Sequence, residues 1–135
     1  MKTLTLALPP NYVGFFACFN QQRFFEAHEV LEKLWLAQRG RPDADFFKAL
    51  IQLAGAFVHL QRNRMRPAGA LLKLARGNLE KYPSQHQHLD TWMVRKLIGE
   101  WLEKLEAGEF AVNPLRLKPS PRLQLENGFP PQPGE

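Results

Sequence analysis

The chain has 135 residues, of which 44% are hydrophobic and 23% charged, with a formal net charge of +5. That length suits one domain with a single core, and no apolar run approaches the roughly 20 residues that cross a bilayer. Cys18 is the only cysteine, so no internal disulfide forms, which fits a reducing cytoplasm. Set among Phe15, Phe16 and Phe19, it reads as an inert core thiol. Lys2 followed by Leu4, Leu6 and Leu8 imitates a signal peptide. Pro9 and Pro10 break that stretch, and the bulky Phe15 and Phe16 suit a cleavage site poorly, so a signal is not expected.

In chain order, Thr3-Leu4-Thr5-Leu6 alternates at period two, which predicts a short extended segment over 3–8. Pro9-Pro10-Asn11 opens a first helix with Tyr12, Phe15, Phe16 and Phe19 on one face, and Asn20 is its stop and a cap for the next. The second helix is expected over 22–38, ended by Gly40-Arg41-Pro42-Asp43. Asp43 or Asp45 then caps a third helix that runs to about 63. This third helix is apolar nearly all round: Phe46, Leu50, Leu53, Phe57 and Leu60 form one face, while Phe47, Ile51 and Val58 cover much of the rest. Such a helix is a central one.

Pro67 suits the first turn of a fourth helix over 67–82, which Pro83 stops. Residues 84–89 read as a solvated loop carrying His86 and His88. Asp90 caps a fifth helix over 91–107, and Gly108 ends it. Six of the eleven prolines follow residue 113, so the tail is not helical. Leu115, Leu117, Leu123 and Leu125 recur at alternating positions, which predicts a strap across the helices, with Leu123–Leu125 pairing with residues 3–8. The expected architecture is all-α: a compact bundle of about five helices over 1–110 and a proline-rich extended strap over 111–135. Trp35, Trp92 and Trp101 all read as core.

The most informative stretch is Phe24 to Trp35, where a histidine and three glutamates share a helix that must also bury large apolar side chains. At 100° per residue His28 and Glu32 border its apolar face, with Glu29 further round. On the third helix Lys48, Gln52, Gly55, Ala56, His59 and Asn63 fall in one narrow strip, whose small residues admit another backbone closely. Antiparallel packing of the two helices brings this strip towards His28, Glu29 and Glu32. Three readings of the polar seam compete. It is a structural network in which each polar group satisfies a neighbour. Alternatively, it is a divalent metal site, with His28, Glu32 and His59 as ligands and Glu29 as base, since His28-Glu29-x-x-Glu32 resembles the zincin motif with its second histidine replaced. In the third reading Gln52 and His59 hold a small organic ligand without metal.

A second class of function rests on charge. Residues 62–81 hold Arg62, Arg64, Arg66, Lys73, Arg76 and Lys81 against Glu80 alone. The Arg62, Arg64 and Arg66 cluster would attract phosphate, so a nucleic acid or an acidic protein is the alternative partner.

Phe19-Asn20, then Phe24-Phe25-Glu26-Ala27-His28-Glu29-x-x-Glu32-x-x-Trp35, then Leu50-Ile51-Gln52-x-Ala54 and His59 resemble the domain-of-unknown-function family three hundred and nine, over residues 15–82. The resemblance implies a small all-helical protein and marks the seam as its functional centre without naming an activity. Two positions depart from the pattern. Ala49 stands where the family has glycine, and Arg62-Asn63-Arg64 replaces its Arg-Gly-Asn turn.

Overall fold

The computed structural model describes residues 8–126 and contains five α-helices among them. These are α1 (Pro10–Asn20), α2 (Phe24–Ala37), α3 (Ala44–Gln61), α4 (Met65–Leu79) and α5 (Thr91–Ala107). A two-residue-per-strand hairpin, β1 (Gln85–His86) and β2 (Leu89–Asp90), joins α4 to α5. Each helix packs on its neighbour in sequence, and α3 has the most extensive contacts, with α2 on one side and α4 on the other. The all-helical bundle follows the apolar periodicity closely. Among the described residues no helix is long and apolar enough to cross a membrane.

The core is organised by aromatic rings. Tyr12, Phe15, Phe16 and Phe19 of α1 are all fully buried. From α1 the rings run on edge to face: Phe19 meets Phe24 at 4.9 Å, Phe24 stacks on Phe57 at 5.2 Å, and Phe57 meets Trp101 of α5 at 4.9 Å. At the other end of α3, Phe46 touches Tyr12 at 6.1 Å and Tyr82 at 5.6 Å. Each such pair contributes roughly 0.5–1.5 kcal/mol beyond the area it buries. Phe46 and Phe57 share a face with Leu50, Leu53 and Leu60, so α3 is anchored along its whole length on that side.

The capping expected from the sequence holds at one helix and fails at two. Asp90 accepts from the Met93 amide at 3.0 Å and caps α5 as expected. Asp43 stands at the N-terminus of α3 but makes no cap bond. Its carboxylate turns to the hairpin instead, accepting from Gln87 Nε2 at 2.6 Å and lying 2.8 Å from His86 Nε2. Residues 84–89 are therefore not a solvated loop. His86 packs 5.0 Å from Phe46 and 4.9 Å from Tyr82. Gln87 and His88 turn the hairpin with φ of 50° and 59°, the two left-handed positions of a type I′ turn. Trp92 is not core either, being 52% exposed. Gly108 closes α5 without a left-handed φ; Glu109 and Phe110 take that conformation, at 54° and 59°.

Asn20 likewise does not cap α2. Its side chain reaches the strap, donating through Nδ2 to the Leu123 carbonyl and accepting from the Leu123 amide, both at 2.7 Å. This two-point clamp seats Leu123 and Leu125 in the core. The strap begins with a 3-10 turn at Pro114–Arg116, a tight helical turn where extended chain was expected. Buried Asn113 secures it by donating to the Leu60 carbonyl at 2.6 Å. The extended segment over 3–8 and its pairing with Leu123–Leu125 fall outside the described residues, apart from Leu8, which packs against the core. Removing the clamp with Asn20→Ala leaves two strap backbone groups unsatisfied. Denaturant titration is expected to show a loss of about 1–3 kcal/mol, with faster hydrogen exchange at the Leu123 amide. Unaltered exchange there would mean that the strap is held by its leucines alone.

Candidate functional site

The ring-bearing face of α3 is turned to the core, so the opposite strip, about half a helical turn away, looks out between α2 and α4. There a cavity of about 280 Å³ opens. Its floor is Ile51, Gly55 and Val58 of α3, its walls are Phe25 of α2 and Leu71 of α4, and its polar groups are His28, Gln52, His59 and Arg62. Gly55 makes the depth. A methyl group added there would sit 3.1 Å from Leu71 Cδ1. The antiparallel packing that positions His28 over this strip is fixed by Phe24 stacking on Phe57 and by Gln61 Nε2 donating to the Gln22 carbonyl at 3.1 Å.

Three of the five seam residues, His28, Gln52 and His59, thus line one cavity, and Arg62 joins them. Glu29 is exposed and lines none of it. Glu32 is half-buried and also absent from the lining. Consequently the expected ligand set His28, Glu32 and His59 is not gathered. Among the described residues no three His, Cys, Asp or Glu side chains stand together as a metal site.

The seam does not close on itself. No hydrogen bond joins any two of the five residues. Gln52 alone is bonded, its Oε1 accepting from Asn78 Nδ2 of α4 at 2.9 Å. Its NH₂ group makes no hydrogen bond within the fold. Both His28 and His59 bury Nδ1 with no hydrogen-bond partner. Neither Nε2 is a buried atom left without a partner, and both rings line the cavity. With no acceptor beside Nδ1, the neutral ring keeps its proton on Nε2, where solvent or a ligand can accept it. The Phe25 ring lies 6.1 Å from His28, nearly parallel to it.

Burial holds the His59 pKa below its ordinary value of 6.5, and the positive charges of Arg64 and Arg62 push it the same way. His59 is therefore neutral at pH 7. The turn that brings those arginines close is Arg62-Asn63-Arg64. Asn63 takes a left-handed φ of 60°, the conformation that glycine adopts at this place in the family pattern, and asparagine tolerates it better than most residues. Arg62, Arg64 and Arg66 are all exposed, and the Arg66 guanidinium lies 4.9 Å over the Phe110 ring.

Fold and site together define a small all-helical domain with a ligand-sized groove over its central helix. The family model described as "Domain of unknown function (DUF309)" matches residues 12–71, so this segment of the chain is similar to that family. The match spans every residue that lines the groove, while the hairpin, α5 and the strap lie beyond it. No curated protein and no solved structure matches the chain.

The lowered His59 pKa fixes the sign of a pH effect. The unfolded chain takes up the proton first, so the native state loses stability as pH falls through 6.5 towards the folded value, and the effect vanishes above that window. Urea titrations at about pH 7.5 and about pH 5.5 are expected to show a larger drop for the native chain than for His59→Gln. Equal drops in the two chains would mean that the ring titrates as it does in water.

Proposed function

We propose that this domain binds a small organic molecule in the groove between α2, α3 and α4, through His28, Gln52, His59 and Arg62, without a metal ion. The observation that carries this reading is the pair of imidazoles on one cavity, each with a buried nitrogen the protein leaves unpaired. A histidine kept to stabilise a helix interface would complete its hydrogen bonds there, because an unsatisfied buried polar atom costs roughly 1–3 kcal/mol. Two such rings on one cavity are left unengaged by the fold, and both line the groove where a ligand can meet them. The cavity also has the make-up of a ligand site, with apolar walls and a few convergent polar groups. Arg62 then belongs to the groove as well as to the basic cluster that carries the nucleic-acid alternative. The single half-buried thiol, Cys18, fits a cytoplasmic setting.

This reading separates stability from function. His59→Met and His28→Leu remove an unpaired polar atom and keep apolar volume, so melting temperatures are expected to stay level or rise. Fragment binding, followed through the histidine ring resonances of the native chain, is expected to be lost in both variants. A destabilisation above about 1 kcal/mol in either would instead mark that ring as a structural support.

A further inference from the structure

The polar end of the groove is made of donors. Gln52 accepts from Asn78 through its amide oxygen, and its NH₂ group makes no hydrogen bond within the fold. The two imidazoles offer Nε2, and Arg62 contributes a fixed positive charge. No carboxylate lines the cavity, although Glu26, Glu29 and Glu32 occur on the same helix as His28. Two other cavities differ in this respect. The groove between α5 and the strap mixes Asp90 and Glu100 with Lys96 and Arg122, and the one between α4 and α5 mixes Glu100, Glu103 and Glu106 with Arg76 and Lys96. Opposite the donors stand Phe25, Ile51, Val58 and Leu71, with no polar side chain among them. At about 30 Å³ per water-sized group, the 280 Å³ cavity holds roughly nine such groups.

From this arrangement we infer that the ligand is an amphipathic organic acid: a carboxylate met by Arg62, Gln52 and the two Nε2 edges, on an apolar body of medium chain length. The inference rests on the groove being a ligand site. Charge complementarity selects the head group, since a cation would meet Arg62 and find no carboxylate in the lining. An ionised acceptor makes the stronger hydrogen bonds with these donors. The apolar walls select the body, and burying each methylene there contributes favourably in proportion to its area.

The test compares octanoate, octanamide and octylamine on the full chain, which share a chain length and differ in the head group. Binding is followed by titration calorimetry and by the ring resonances of His28 and His59. Octanoate is expected to bind about tenfold more tightly than octanamide, with both rings perturbed, and octylamine more weakly than either. Arg62→Gln, at an exposed position with no side-chain partner to lose, is expected to abolish the preference for octanoate, and Arg62→Lys to restore part of it. Equal or tighter binding of octanamide at the same two rings overturns the acid while leaving the groove as a ligand site. Failure of all three probes to move either ring overturns both. So does octanoate seating instead at Val112 and Leu117, between Lys104 and Lys118.

Discussion

The anchoring of α3 through its rings is the constraint on which the rest of this molecule depends. Phe46 and Phe57, three turns apart, each meet aromatic partners from other elements, and Leu50, Leu53 and Leu60 fill the line between them. A helix held so firmly on one side has no freedom to rotate its other side inward. The strip containing Ile51, Gly55, Val58 and His59 must therefore be covered by flanking helices or left as a groove. α2 and α4 flank it without meeting over it, and the groove is what remains between them. Core packing thus decides where the polar residues are displayed.

The groove's chemistry follows from how little of it the fold consumes. Asn78 claims the Gln52 oxygen, and no other hydrogen bond engages its polar groups. His59 is buried enough, and close enough to two arginines, to stay neutral. A neutral imidazole beside a guanidinium divides the work: Arg62 supplies charge and the rings supply directed hydrogen bonds. Natural domains carry such unmet polar groups at sites whose use offsets the loss of stability.

Helices were legible in the sequence because their evidence is distributed over many positions. The faces Tyr12–Phe19 and Phe46–Leu60 each repeat at helical spacing, so no single residue decides them. The short polar residues were less legible. Asn20 and Asp43 both sit where caps belong, yet each is claimed by a partner far away in sequence, Leu123 for one and the hairpin for the other. The hairpin itself was hidden because its left-handed positions are filled by Gln87 and His88 rather than by asparagine and glycine, so no local turn signal existed. For the site, the face of each helix was readable and the shape of the space between helices was not. His28 and Glu32 border one face, but only the packed structure shows that His28 lines the cavity and Glu32 does not.

The clamp between Asn20 and Leu123 has a consequence for synthesis. Contacts between successive helices are local, so most of the bundle can assemble while the chain emerges from the ribosome. The last buried layer cannot. Leu123 and Leu125 close over a core begun more than a hundred residues earlier, and until they arrive α1 carries an amide with nothing to grip. A nascent chain stalled after α5 would hold every helix of the groove and still present an open apolar seam. Arrival of the strap is thus the step that closes this seam and completes the core around α1.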